Sequence, residues 1–415
     1  MRLWILTQFY PPEFGAAAVR LSRLAHLLAQ DGHQVTVLTG MPNYPEGVIK
    51  PPYRGRIAYR EQRGGADIRR VWVYASPHKR TLPRLLNQFS FMLMAAVRGA
   101  FLPRPDVILV ESHPLFIVLA AGWLKRVKRA PIVLNVSDLW PESAVATGAL
   151  NADSPMVKIA SRVEKWAYRD AAHIIAMTKG VRDGVLIVHP HPERTTLIQN
   201  AVDLDVFRPH RPDLRAETRA RLGINPAQIV VTHVGNMSLT YNFDGILNAA
   251  AALPDLLFVF VGGGSQETAV REQAAARGLN NVRFTGVVPH ADMPGLWAAA
   301  DLTLIALGDH SVAGGTIPAK LYEAVATGTP VVAAIRGEGA AVIEHAGIGL
   351  TVPIGDSEAM RTAIRRLADS PDVRARMTAT GRAYAEANLA AAAVKDRYAA
   401  VFQAVTDSPS KRTSS

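Results

Sequence analysis

Gly314-Gly315-Thr316-Ile317-Pro318-Ala319-Lys320-Leu321-Tyr322-Glu323-Ala324-Val325-Ala326-Thr327-Gly328-Thr329-Pro330-Val331-Val332-Ala333-Ala334 reads as a loop, a helix, a tight turn and a buried strand. Two glycines before Thr316 permit a sharp turn. Pro318 suits the first turn of a helix, where a missing N–H costs nothing. The helix runs to about Thr327, Gly328 stops it, and Val331–Ala334 is a short apolar strand. A helix start fed by a glycine loop favours an anion, because free N–H groups and the positive dipole end point at it. Lys320 and Glu323 lie three apart and share a face. The cation suits a diphosphate and the carboxylate a sugar hydroxyl. A core helix with an incidental Lys–Glu pair explains the spacing equally well.

Outward from that stretch, the same alternation continues in both directions. Strands are expected at Val230–Val234, Leu257–Val261, Val282–Thr285 and Leu302–Ala306, separated by helices. An earlier series starts with the strand Arg2–Thr7, the loop Phe9–Gly15, the helix Ala16–Gln30 and the strand Gln34–Thr39. It continues through strands at Asp106–Val110, Ile132–Val136 and Ile174–Met177. Residues 41–80, rich in Pro, Gly, Arg and Tyr, read as a long loop ending in a strand, Ile68–Tyr74. The fold class is α/β, with two consecutive βα domains joined near residue 205. The length of 415 residues agrees, since single cores stop growing near 250–300 residues. The loop after the first strand lacks the G-x-G-x-x-G dinucleotide pattern. Gly15 is still a place where backbone could approach a ligand.

Charge is unevenly distributed. The net charge is +11, but residues 1–200 carry 26 Lys and Arg against 14 Asp and Glu, and residues 201–415 carry 20 against 21. Nucleic acid, an anionic membrane surface or phosphorylated substrates could each explain a basic first half, as could a solvated surface without a partner. Leu82–Leu102 is apolar over a wide arc and flanked by Lys79, Arg80, Arg84, Arg98 and Arg104. It suits a membrane interface or a buried helix with polar ends. No run reaches the ~20 apolar residues of a membrane span. No secretory signal is read at the start, so the chain is expected on the cytosolic side, soluble or peripherally attached. The absence of cysteine excludes disulfides, thiolate metal sites and thiol catalysis.

Ligands in open α/β sheets bind beyond the C-terminal ends of the strands. That rule selects Glu111 and His113 after one strand, and Asp138 and Glu142 after the next. His189 and His191, alternating with prolines, read as loop. Asp203 and Asp205 have the D-x-D spacing of some metal sites but sit in a polar connector, so no metal is expected there.

Five segments in order resemble glycosyltransferase family 4, a GT-B family. They are Asp31-Gly32-His33-Gln34-Val35-Thr36-Val37-Leu38, the connector Gln199-Asn200-Ala201-Val202-Asp203 with Phe207-Arg208-Pro209, Val261–Gly264, Arg283–Pro289, and Pro318-Ala319-Lys320-Leu321-Tyr322-Glu323 with Gly328-Thr329-Pro330-Val331-Val332. The loops Phe9–Glu13 and Asp138–Ser143 are similar to those of bacterial O-antigen and colanic-acid transferases, including the L-fucosamine type. The resemblance implies two Rossmann-like domains facing a cleft. It puts an acceptor domain at 1–203, a nucleotide-sugar domain at 204–385, a helix packing back toward the first domain at 386–405, and a disordered tail at 406–415.

The same resemblance implies a retaining hexosyltransferase of cell-surface polysaccharide synthesis. The donor would be a nucleotide diphosphate sugar, UDP-linked, and the acceptor polyprenyl-diphosphate-linked or another glycan. Gly15, Asn236, Gly263, Val287, Thr316, Lys320 and Glu323 would bind the donor, with the Val287 backbone at the base. His113, Asp138 or Glu111 would serve catalysis. No metal or other cofactor is implied, and no nucleic acid. Attachment would be peripheral, at the inner face of the cytoplasmic membrane. Two departures stand out. The segment Gly235–Asn242 lacks the Arg and Lys that many members aim at the diphosphate, and Gly315 occupies the place of the first Glu of an E-x7-E motif. An epimerase on the same fold and a non-enzymatic nucleic-acid binder are the rival readings.

Overall fold

The computed structural model describes every residue except Phe14, Pro45, Lys79, Arg80, Thr147, Ala149, His210, 310–316 and 408–415. The chain divides into two compact units. The first takes Met1–Asn200 and the chain from Ala391 onward; the second takes Ala201–Ala390.

Unit one contains β1 (Arg2–Leu6), α1 (Ala16–Gln30), β2 (Gln34–Gly40), β3 (Ala58–Arg63), β4 (Ala66–Val71), α2 (Thr81–Ala100), β5 (Val107–Glu111), α3 (Ile117–Lys128), β6 (Ile132–Val136), α4 (Glu142–Ala146), α5 (Pro155–Asp170), β7 (His173–Ala176), α6 (Lys179–Val188) and β8 (Thr195–Leu197). Its sheet runs β3-β4-β2-β1-β5-β6-β7-β8, parallel throughout except for the β3–β4 pair. The central strands are apolar on both faces because helices cover both, and β5 and β6 are buried along their whole length. Ser154 caps α5, its Oγ accepting from the Val157 N–H at 3.3 Å.

Residues 41–80 are not a single loop. β3 and β4 form an antiparallel hairpin across Gly64-Gly65, both at positive φ. That two-residue turn matches the twist of a hairpin. The strand expected at Ile68–Tyr74 starts earlier, at Ala66, and ends at Val71. β3 escapes an apolar-pattern reading because it is a largely exposed edge strand, Ala-Tyr-Arg-Glu-Gln-Arg.

Unit two contains α7 (Pro212–Arg221), β9 (Val230–Val234), α8 (Phe243–Ala252), β10 (Leu257–Val261), α9 (Glu267–Ala276), β11 (Val282–Gly286), α10 (Met293–Ala299), β12 (Leu302–Ala306), α11 (Ala319–Thr327), β13 (Val331–Ala334), α12 (Glu338–Ala346), β14 (Gly349–Val352), α13 (Ser357–Ala368) and α14 (Pro371–Asn388). Its sheet runs β11-β10-β9-β12-β13-β14, all parallel. The order reverses between β9 and β12, the kind of switch point beyond whose strand ends open α/β sheets bind ligands.

The last helix, α15 (Ala391–Asp407), belongs to unit one and packs on α1. Its buried Tyr398 donates to Asn135 Oδ1 of β6 at 2.7 Å. Arg397 donates to the Leu197 carbonyl, and Lys395 pairs with Asp31. No helix of the described residues is long and apolar enough to cross a membrane.

Candidate active site

The C-terminal ends of β9, β10 and β11 deliver three glycine turns to one edge of unit two. Gly235 N–H donates to Val261 O at 2.8 Å, Met237 N–H to Gly263 O at 2.8 Å, and Gly262 N–H to Gly286 O at 2.9 Å. The glycines are required by this lacing. A Cβ on Gly262, at φ 123°, would lie 2.2 Å from Gly235 O, and one on Gly264 would lie 2.3 Å from Asn236 Oδ1. The turns therefore present backbone where side chains would otherwise stand.

α11 approaches the same edge from beyond β12. Pro318, with extended backbone, is its N-cap, and Gly328 in the left-handed region ends it. Lys320 on the first turn is buried. Its Nζ lies 3.2 Å from His233 Nε2 and 4.1 Å from the centroid of the Tyr241 ring. Gly235 leaves room for its stem, since a Cβ there would sit 3.4 Å from Lys320 Cε. No carboxylate forms an ion pair with Lys320 among the described residues. Burial therefore dominates and pushes the ammonium down to about 7, opposed by Glu323. His233 is completely buried, and desolvation, aided by Lys320, holds it well below its ordinary value. A neutral imidazole accepts at Nε2 from the lysine.

Glu323, one turn on, accepts from Trp297 Nε1 at 2.8 Å. Burial raises its carboxyl, while the Trp297 bond and Lys320 lower it. This pocket can hold an oxyanion at Lys320 and a hydroxyl at Glu323. Among the other expected donor residues, Asn236 and Val287 are exposed on their loops, and a Cβ on Gly263 would meet Val287 Cγ2 at 2.9 Å. Thr316 lies outside the described residues.

Unit one has its own cluster at the strand ends. β5 and β6 are paired neighbours, so His113 and Asp138 leave the sheet side by side, both exposed. Asp138 Oδ2 accepts from Ser143 Oγ at 2.8 Å. Glu111 is different. It is fully buried and receives Arg20 Nη2 at 2.6 Å, Asn135 Nδ2 at 2.7 Å and Ser137 Oγ at 2.6 Å. These bonds tie α1, β5 and β6 together.

Gly15 is the N-cap of α1, with open space where a Cβ would be. The loop before it is fastened by Glu13, whose carboxylate accepts the N–H groups of Tyr10, Asn43 and Tyr44 at 3.4, 2.8 and 2.9 Å. Burial pushes that carboxyl up to about 7, against those three hydrogen bonds. Sequence reading missed Glu13, Arg20, His233, Tyr241 and Trp297. The one available signal was the missing cation in Gly235–Asn242, where Tyr241 now faces Lys320.

Two family profiles match consecutive parts of the chain. "Glycosyl transferase 4-like domain" matches residues 15–201, and "Glycosyl transferases group 1" matches residues 215–384. The chain is a GT-B glycosyltransferase. The transferase is 24% identical over 347 residues to the putative colanic acid biosynthesis glycosyl transferase WcaI of Escherichia coli K12, covering 79% of this chain and 82% of that one. It is 26% identical over 397 residues to the 2-deoxystreptamine N-acetyl-D-glucosaminyltransferase of Streptomyces fradiae, covering 88% and 87%. The two-unit fold of the transferase is similar to that of Anabaena HepE in complex with UDP and glucose, with a TM-score of 0.74 at 20% identity over 97% of this chain and 99% of that one. Both matching profiles describe glycosyltransferases, which favours sugar transfer over the epimerase and nucleic-acid readings.

Proposed function

We propose that this glycosyltransferase moves a hexose, with retention, from a UDP-sugar to a polyprenyl-diphosphate-linked or other glycan acceptor in cell-surface polysaccharide synthesis. The observation that carries the donor half is Lys320, a buried ammonium without an ion-paired carboxylate, on the first turn of α11 beside three glycine turns. A diphosphate leaving group develops charge there, and a fixed cation with backbone amides stabilises it. The UDP and glucose bound by HepE support the choice of donor. In this reading Glu323 holds ribose hydroxyls and the Val287 backbone meets the base. Asn236 and Gly263 line the diphosphate. Protein dipoles and Lys320 take the place of a metal.

His113 or Asp138 orients or deprotonates the acceptor hydroxyl. Glu111 supports them from beneath through Ser137 and the sheet. The colanic acid biosynthesis named for the Escherichia coli relative supports a place in polysaccharide synthesis.

A membrane-facing role for unit one rests on α2. Leu82, Leu86, Phe89, Leu93 and Val97 are exposed at helical spacing on one side of it, and Phe101 continues the line. Trp123 and Val127 of the adjacent α3 are exposed as well. An apolar stripe on a helix with Arg84 near its start and Arg98 and Arg104 near its end fits an anionic bilayer surface at the inner face of the cytoplasmic membrane.

The deciding experiment incubates the protein with a panel of nucleotide sugars and lipid-diphosphate acceptors and resolves product stereochemistry by NMR. Turnover of a UDP-sugar with retained anomeric configuration, abolished in Lys320→Ala, is the expected result. Unchanged turnover in that variant overturns the site.

A further inference from the structure

A groove of about 390 Å³ opens in unit two at the edge where β12 and β13 begin, away from the strand ends that carry Lys320. Arg208, Arg211, Arg215 and Arg374 line it, with Asp301 and Trp297. Asp301 is the one acidic residue in that lining, and its two oxygens are taken by Arg215 and Arg219 at 2.6 Å each. The remaining guanidinium charges are not neutralised. Arg374 Nη1 donates to the carbonyls of Leu367 and Ala368 at 2.5 and 2.6 Å. Arg208 Nε donates to the Asp205 carbonyl at 2.6 Å, and its ion pair with the Asp205 carboxylate is an exposed 3.4 Å contact, which is worth little. The Arg211 guanidinium has no hydrogen-bond or ion-pair partner among the described residues. Three such charges converge in a unit whose sequence is otherwise slightly acidic.

Guanidinium groups match phosphate bidentately. The volume is that of a small-molecule site, and its concavity suits a compact solute. Trp297 connects the groove to the site above. It forms part of the groove wall, and its Nε1 donates to Glu323 Oε2 at 2.8 Å.

We propose that this groove binds a small soluble phosphate ester, and that its occupancy reaches Glu323 through Trp297. The second half rests on Glu323 holding the donor; the first half does not.

Inorganic phosphate is the probe, with chloride at matched ionic strength as the control. Hydrogen exchange should slow in residues 211–219 and 371–378 on adding phosphate. The slowing should persist in Lys320→Ala and be lost in Arg208→Ala/Arg211→Ala, two exposed positions whose truncation leaves the fold intact. The donor KM should shift about fivefold with phosphate in the wild type, a usual size for coupled sites. Trp297→Phe should keep the protection and lose the KM response.

No protection overturns the proposal. So does protection removed by Lys320→Ala alone, which would put the phosphate in the donor site, or protection by anionic vesicles and not by phosphate. Protection with an unchanged KM overturns the coupling. The exchange measurement reads the groove even if no nucleotide sugar is turned over, so failure of the donor assignment remains distinguishable.

Discussion

Lys320 Nζ stands 3.2 Å from His233 Nε2, and both side chains are buried. Two ionisable groups therefore share a site in which only one can carry charge. The imidazole is neutral and accepts the lysine's proton donor; the lysine alone holds whatever positive charge the site has. Tyr241 lies against it with its ring face, a weak electrostatic partner for an ammonium. Below about pH 7 this arrangement holds an ammonium with no carboxylate paired to it among the described residues.

Removing that cation should weaken the donor and stabilise the fold at the same time. Lys320→Ala loses a charge-assisted bond of about 1.5–3 kcal/mol, so nucleotide-sugar affinity should fall by about 10–100-fold in calorimetric titration. Lys320→Met fills the same space without a desolvated charge. Its unfolding temperature should rise by about 2–4 °C for each kcal/mol recovered. The sign depends on pH. Below pH 7 the lysine is protonated in both folded and unfolded chains, so the burial cost is fully present. Between the folded value of about 7 and the ordinary 10.5, the folded chain releases its proton and the cost fades. The stabilisation by Met should therefore be greatest below about pH 7 and shrink towards pH 10.

The same titration predicts how donor binding follows pH. A diphosphate favours the ammonium and raises its pKa on binding. The donor KM should be flat below about pH 7 and rise about tenfold per unit above it. Calorimetry in two buffers of different ionisation heat should show about one proton taken up near pH 8. Lys320→Arg, which stays charged, should flatten the profile. A flat wild-type profile between about pH 6 and pH 9 would show that Lys320 is not the group that meets the diphosphate.

The sequence already carried the stretch around Lys320: the helix ends at Gly328 and β13 spans Val331–Ala334, as its glycine and apolar run predict. Local signals of this kind act within a few residues, so local reading reaches them. The partners of Lys320 do not follow from any spacing. His233 is 87 residues away and reads as one more residue in a β strand. Glu111 read as a catalytic candidate because it ends a strand. Nothing in the chain announced that Arg20, 91 residues earlier, would occupy its carboxylate. β3 escaped for a different reason: as an exposed edge strand it carries charged residues, and Arg60 and Glu61 pair locally with Asp67 and Arg70 of its hairpin partner β4.

The Arg20–Glu111 pair supplies a test of whether Glu111 positions or reacts. Breaking a buried pair leaves a charge without its partner and costs about 3–5 kcal/mol. Arg20→Met should lower stability by that amount in urea unfolding, and Arg20→Met/Glu111→Leu should recover most of it. If Glu111 took part in the chemistry directly, the double variant would be well folded and lose turnover by orders of magnitude. Turnover within about tenfold of wild type is the outcome a positioning role predicts.

The glycine turns predict a contrast between two substitutions of identical chemistry. Gly262 has φ 123°, and an added methyl would lie 2.2 Å from the Gly235 carbonyl. Gly223 has φ 61° with open space around it. Gly223→Ala should cost about 1 kcal/mol, the strain of a left-handed residue with a side chain. Gly262→Ala must also push the β9 and β10 loops apart. It should cost about 2 kcal/mol or more and abolish measurable donor binding, read by thermal shift with UDP. Equal effects from both substitutions would mean that the lacing of these loops does not shape the site.

The exposed stripe on α2 predicts a loss that stability measurements should not register. Leu93 and Val97 are 59% and 50% exposed, so their truncation removes little packing from the folded chain. Each contributes about 1.5–3 kcal/mol if it enters an apolar phase. Leu93→Ser/Val97→Ser should therefore keep the wild-type unfolding temperature within about 1 °C and reduce co-sedimentation with anionic vesicles by at least about tenfold. The flanking arginines act by charge, and their share should fade as salt shortens the screening length to below about 10 Å. The stripe's share should persist in high salt, because burial of apolar surface does not depend on screening. A wild-type protein that stays in the supernatant at low salt would remove the membrane from the account of unit one and leave the stripe to a protein partner.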